Sequence, residues 1–147
     1  MIRLYMLDTN TVSYIVKGVS EAARNRLLRL GPQEAACISA ITEAELWYGL
    51  DRVGAGEARR KALREFFDLL RVLPWDRDEA VVYGSFRHRQ EAMGRPLGSL
   101  DMQIAAHAIA AGAVLVSNDK GFRHAHGLVG LESWAPDVEP RAKRKRT

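Results

Sequence analysis

With 147 residues, 47% of them apolar and 27% charged, the chain can close one hydrophobic core without staples and has the composition of an ordinary globular domain. The formal charge of +4 is lopsided, because the last seven residues, RAKRKRT, hold five of the 22 Lys and Arg and none of the 18 acids. One cysteine, Cys37 in AACIS, excludes an internal disulfide, and no apolar run approaches a membrane span or a secretory leader, so a cytoplasmic protein is expected.

Taken in chain order, short apolar runs alternate with longer helical patterns. RLYML (3–7) predicts a strand and NTVSYIVKG and SEAARNRLLRL predict helices. AACIS (35–39) is the second strand, with TEAELWYGLDRV and GEARRKALREFFDLL helical after it. LRVLPW (70–75) is the third strand, followed by the helical DEAVVYGSFRHRQEAMG and LDMQIAAHAIAAG. AVLVS (113–117) and LESW (131–134) supply the last two strands. Several helices end in Gly. Strands this short and this continuously apolar are covered on both faces. The alternation predicts a three-layer α/β/α sandwich around a mainly parallel sheet. The domain is placed at 1–137, with a basic tail over 138–147 that is read first as a solvated end and second as a weak electrostatic hold on nucleic-acid phosphates.

In such a sheet the loops leaving the carboxyl ends of the strands gather on one edge, where ligands bind. RLYML ends on Asp8. AACIS runs into AITEAEL, with Glu43 and Glu45 in the first turns of the next helix. GRPLGSLDMQIAA sets Asp101 just past Ser99, a good helix cap, and AVLVSNDKGF ends on Ser117, Asn118 and Asp119. Each acid alone suits a capping role. Asp8, one of the two Glu, Asp101 and Asp119 together make a set that would repel on converging, a conflict that a hard divalent cation removes. Mg2+ or Mn2+ takes oxygen ligands, keeps several waters and supports phosphodiester hydrolysis. Thr9, Asn10, Ser99, Ser117 and Asn118 are placed to orient carboxylates or water, or to serve turn chemistry. Periodicity does not choose between the glutamates: Glu45 shares a stripe with Ile41, Tyr48 and Gly49, and Glu43 with Trp47 and Leu50.

The segments YMLDTN, SAITEAELWYGL, GRPLGSLDMQIAAHAIAAGAVLVSNDKGF and LESW, in this order, resemble PIN-domain ribonucleases, specifically the VapC toxins of type II toxin–antitoxin pairs. The resemblance covers nearly everything except the tail. It implies a PIN-like fold and a metal-dependent endoribonuclease acting on structured RNA such as tRNA or rRNA. It also implies a VapB-type antitoxin and a homodimer, while the lack of a long apolar run argues for no membrane association. By matching motifs it selects Glu45 over Glu43, and it puts Asp8, Glu45, Asp101 and Asp119 at the positions that bind Mg2+ or Mn2+ in relatives.

The remaining polar and aromatic residues get plainer readings. His107 in IAAHAIA is expected to pack between helices, and His124 and His126 in FRHAHG to lie in a solvated or RNA-facing loop. Trp47, Tyr48, Phe66 and Phe67 are expected in the core or in a partner groove. A phosphatase of the haloacid dehalogenase type is disfavoured because Asn10 stands where a second Asp is needed. A receiver domain lacks its paired acids and late Lys. Two functions compete with the toxin: a PIN-like nuclease that processes RNA outside a toxin–antitoxin pair, and a non-catalytic RNA-binding module. Metal-dependent cleavage separates the module from either nuclease.

Overall fold

The computed structural model of the chain describes residues 1–139. Five strands, β1 (Arg3–Leu7), β2 (Glu34–Ser39), β3 (Arg71–Leu73), β4 (Val114–Val116) and β5 (Leu131–Glu132), form one sheet in the order β3-β2-β1-β4-β5. All four pairings are parallel, with Tyr5 opposite Ala36, Met6 opposite Leu115, Ile38 opposite Val72 and Val116 opposite Glu132. The helices are α1 (Thr9–Val16), α2 (Glu21–Leu28), α3 (Ala40–Arg52), α4 (Glu57–Phe67), α5 (Arg77–Ala92) and α6 (Ser99–Ala111). None of them is long and apolar enough to cross a membrane. The basic tail from residue 140 onward lies outside the described residues, while Val138 still packs against the core.

Strand alternation builds the three layers, because successive side chains leave opposite faces of a strand. Tyr5, Leu7, Ala36, Ile38, Val114 and Val116 meet Val12 of α1, Leu27 of α2, Leu46 of α3 and Phe66 of α4 on one face. Met6, Cys37 and Leu115 meet Phe86 of α5 and the Ile104–Ala108 run of α6 on the other. Both faces are covered, which explains strands without polar alternation. Each large side chain buried here contributes about 1.5–3 kcal/mol. Cys37 is fully buried, and burial pushes its thiol up to about 12, so it is an inert core residue.

Helix starts follow side-chain caps in three cases: Asp8 caps α1 through Thr11 N–H, Ser20 caps α2 through Ala23 N–H, and Ser39 caps α3 through Ile41 N–H. At α6 the structure corrects the expectation that Ser99 is the cap. The chain is extended at Gly98, whose carbonyl accepts the first helical bond from Met102 N–H at 2.8 Å. Ser99 is therefore the first helical residue and lies exposed. The same helix ends at Gly112, with φ +64°, a left-handed conformation that favours glycine.

A polar cluster ties the amino end of β2 to α2. Glu34 accepts from Arg26 and from the Tyr5 hydroxyl, both at 2.9 Å, and from Gly31 N–H at 3.0 Å. Arg26 also lies over the rings of Tyr5 and Trp134, 5.1 Å from each centroid. The Arg26 hydrogen bond, then those from Gly31 and Tyr5, holds the Glu34 carboxyl at about 2, below its ordinary 4.5. A carboxyl depressed in the fold adds stability above pH 4.5, and that stability is lost as pH falls towards 2. Glu34→Gln is expected to lower stability at neutral pH and to flatten its fall across that window, as read by urea denaturation at stepped pH.

Candidate functional site

Strand order reverses direction about β1. The chain leaves β1 for β2 on one side, and β4 later returns to pair on the other. Such a switch point opens a crevice at the carboxyl ends of the two strands, and ligands of open parallel sheets bind there. Asp8 follows β1, and Ser117 to Asp119 follow β4.

These two strand ends are bolted together. Asp8 N–H donates to the Val116 carbonyl at 3.0 Å, and the Thr11 hydroxyl donates to the same carbonyl at 3.3 Å. The Asp8 carboxylate accepts from Thr11 N–H at 2.9 Å on Oδ1 and from the Ser117 hydroxyl at 2.6 Å on Oδ2. Ser117 Oγ in turn accepts from Asp119 N–H at 2.9 Å. Asp8 is only 5% exposed, and burial pushes its carboxyl up from the ordinary value, with the nearby Asp119 charge adding to the effect. Hydrogen bonds from Ser117 and Thr11 oppose the shift without cancelling it. A carboxylate has room for about four hydrogen bonds or ligand contacts, so capping α1 leaves Asp8 with acceptor capacity. Asp119 likewise accepts from Gly121 N–H at 2.8 Å, starting a 3-10 turn over Lys120–His124.

The other two acids come from helices beside this crevice. α3 packs against both α1 and α6. Glu43 accepts from the Trp47 indole N–H at 2.8 Å, so its carboxylate is engaged along its own helix. The side chain of Glu45, half-buried, forms no hydrogen bond or ion pair with another described residue. One turn before it, the Thr42 hydroxyl is fully buried and lacks a hydrogen-bond partner among the described residues. Asp101, half-buried in the first turn of α6, folds its carboxylate back over Gly98, where a Cβ would stand 3.8 Å from Oδ2. No three His, Cys, Asp or Glu side chains among the described residues form a ready-made metal cluster. The donor set nevertheless fits a hard cation: every candidate ligand is an oxygen, and burial disfavours the ionised form of Asp8 in the absence of a positive partner. Mg2+ needs only one or two carboxylates directly, with waters completing its octahedron.

The predicted polar neighbours divide. Ser117 bridges the two aspartates. Asn118 faces away from them: its amide donates to the carbonyls of Ala135 at 2.8 Å and Val138 at 3.4 Å, and accepts from Ser133. It thereby pins the segment after β5. Thr9 and Asn10 open α1, Thr9 half-buried and Asn10 exposed. Between the 3-10 turn and the pinned segment lies a cleft of about 410 Å³, reaching from Asp119 to Pro136 and flanked by Lys120 and Arg123. Neither cation is ion-paired among the described residues.

Several contributors leave no mark in the sequence pattern. Thr11 takes part through backbone and hydroxyl. The fully buried Gln90 of α5 donates to the His124 and Arg95 carbonyls at 2.6 and 2.9 Å and accepts from His126 N–H at 3.0 Å. The FRHAHG segment is thus clamped by Gln90 and anchored by buried Phe122, with His124 exposed and His126 exposed beside it. Ser39 Oγ lies 2.7 Å from Nδ1 of His107, which is buried as expected and meets Trp75 edge-on at 5.5 Å. Of the four aromatic residues expected in the core or in a partner groove, only Tyr48 lies outside both. Trp47 and Phe67 pack edge-to-face at 6.0 Å and join the core, and Tyr48 is exposed. A groove of about 490 Å³ runs between α1, α2 and α4, floored by Ile15, Leu27 and Phe66 and edged by exposed Leu28 and Leu69.

Comparison with known proteins agrees with this geometry. The PIN domain family model matches residues 5–128. Ribonuclease VapC2 of Rickettsia felis is 34% identical over 132 residues, which are 89% of this chain and 98% of that protein. The tRNA(fMet)-specific endonuclease VapC of Salmonella typhimurium is 35% identical over 131 residues, covering 88% and 97%. The crystal structure of VapBC2 from Rickettsia felis, bound to a DNA fragment from its promoter, contains a chain that superposes with a TM-score of 0.83 at 33% identity, covering 89% of this chain and 98% of that one. A buried carboxylate at a parallel-sheet switch point, on this fold and with these relatives, places the chain in the PIN domain family, among the VapC ribonucleases of VapBC toxin–antitoxin systems.

Proposed function

We propose that the chain hydrolyses RNA phosphodiester bonds at the β1–β4 crevice, with Mg2+ or Mn2+ held by Asp8, Glu45, Asp101 and Asp119. The observation that supports this reading is the Asp8–Ser117–Asp119 link, in which the Ser117 hydroxyl donates to the Asp8 carboxylate and accepts from Asp119 backbone N–H, with the Asp119 charge near enough to act on Asp8. When bound, the cation would activate the attacking water and offset charge on the scissile phosphate. The chain's own residues prepare the place. Thr11 and Ser117 fix the orientation of Asp8, and burial keeps its charge poorly solvated, so a cation is favoured over bulk water as its partner. Lys120 and Arg123 line the adjoining cleft, where they can receive flanking phosphates. A tRNA is the first substrate to test, since a relative at 35% identity is named for tRNA(fMet).

The reading includes a homodimer in the cytoplasm and a VapB-type antitoxin whose apolar helix lies in the α1–α2–α4 groove. An antitoxin Arg reaching the acids could add a bidentate pair to a carboxylate. The test is cleavage of initiator tRNA by the purified chain with Mg2+, with EDTA, and with EDTA followed by excess Mn2+. Cutting is expected in the first and third conditions and none in the second. RNA binding without cutting in any condition would leave a binding module instead.

A further inference from the structure

Two of the four acids sit on separate helices, Glu45 on α3 and Asp101 on α6. Their joint use of one cation depends on how those helices are set against each other. The starting point of α3 is fixed by a side chain: Ser39 Oγ accepts from Ile41 N–H at 3.0 Å. The same oxygen lies 2.7 Å from Nδ1 of His107, which is on α6. Ser39 is wholly buried and His107 is 1% exposed, so water does not compete for this contact. Trp75 closes the ring side of His107, with ring planes crossing at 88°.

The donors and acceptors are complementary. Ser39 Oγ accepts from Ile41 N–H and keeps both its own hydrogen and a second lone pair, so it can pair with Nδ1 in either neutral tautomer of the ring. Burial holds the imidazole towards its neutral form, with only the Glu79 charge on α5 pulling the other way. One hydroxyl thus caps the helix carrying Glu45 and grips the helix carrying Asp101.

We infer that His107 and Ser39 form a positioning pair that sets the start of α3 against α6, and thereby brings Glu45 and Asp101 to bear on one cation. This rests on the four-acid reading of the crevice. His107 touches no reacting group; it acts through the helices.

The experiment uses the full-length protein and Mn2+ alone as the probe, read by titration calorimetry, alongside kcat and KM for tRNA cleavage and a thermal melt. His107→Leu keeps bulk but cannot bond to Ser39. His107→Asn places an amide where Nδ1 stood, whereas His107→Gln places it farther out, near the Nε2 position. Leu and Gln variants are expected to lose roughly tenfold in Mn2+ affinity and in kcat with KM little changed, and Asn to keep most of both. Ser39→Ala should reproduce the His107→Leu loss, and the double variant should lose little more than either. Mn2+ affinity equal to wild type in folded His107→Leu, additive losses in the double variant, or no advantage of Asn over Gln would each overturn the inference. If Asn and Gln both fail to fold, the Ser39→Ala titration decides alone, with unchanged affinity overturning it. Wild-type protein that neither binds Mn2+ nor cuts RNA would instead sink the four-acid reading, and this pairing with it.

Discussion

Asp8→Asn is expected to reduce tRNA cleavage about a thousandfold or more while leaving the fold intact. At about 1.36 kcal/mol per tenfold, that corresponds to about 4 kcal/mol of transition-state stabilisation, within what a cation at a phosphoryl centre supplies. The substitution is nearly isosteric, and Asn can still accept from Thr11 N–H, so α1 keeps its cap. The sign of its effect on stability separates a site residue from a structural one. Asp8 has its carboxyl raised by burial, so its ionised form weakens the metal-free fold as pH rises through the folded value, and the protonated form is favoured below the ordinary carboxylate range. Removing the charge should therefore leave the metal-free protein at pH 7 as stable as wild type or more so, in a thermal melt with EDTA. With Mn2+ the order should reverse, because only wild type gains from binding. An Asp8→Asn protein that melts clearly lower in EDTA would mark Asp8 as a structural cap and nothing else.

The second large effect belongs to the groove. Leu28 and Leu69 are each 59% exposed at its edges, while Leu27 and Phe66 form its buried floor. Exposed apolar side chains can be changed without opening a cavity, so Leu28→Asp and Leu69→Asp should fold normally. If an antitoxin helix lies there, each introduced charge must be desolvated against an apolar surface. A loss of at least about 2 kcal/mol, or roughly thirtyfold in Kd, is expected for each, as at a central interface position. The same variants should cut tRNA at the wild-type rate in the absence of antitoxin and escape inhibition at concentrations that silence wild type. Unchanged Kd for both would move the antitoxin to another face.

Much of this architecture is legible without coordinates, for a physical reason. A strand covered on both faces must be apolar throughout, so RLYML, AACIS and AVLVS stand out, and their order with the helices dictates a parallel sheet. Three of the candidate acids stand out by position, since Asp8 and Asp119 follow strands and Asp101 lies in the first turn of a helix, whereas Glu45 sits deeper in α3. What escapes is small or tertiary. The 3-10 turn of Lys120–His124 spans only five residues, too few to show a helical period. Gln90 sits on a mainly polar helix, and only the fold reveals that it faces inward to hold three backbone groups. The Ser39–His107 contact joins residues 68 positions apart, which no local pattern encodes. The start of α6 slips by one residue because the chain is extended at Gly98, leaving Ser99 no free turn to cap. Glu43 and Glu45 are inseparable by period, and only the fold shows that Glu43 accepts from the Trp47 indole N–H along its own helix.

The pairing of β4 with the open edge of β1 has a consequence for when this protein can act. Asp8 and Ser117 are 109 residues apart, so the crevice cannot exist until roughly four-fifths of the chain has been made. During synthesis, residues 3–7 wait with one edge satisfied by β2 and the other bare, and at about 5–20 residues per second that interval lasts several seconds or more. A ribosome that stops between Asp101 and Ser117 releases a fragment that holds Asp8, Glu45 and Asp101 but lacks the Asp8–Ser117 hydrogen bond that joins the two strand ends. The order of residues along the chain therefore keeps the two sides of the β1–β4 crevice apart until late in synthesis.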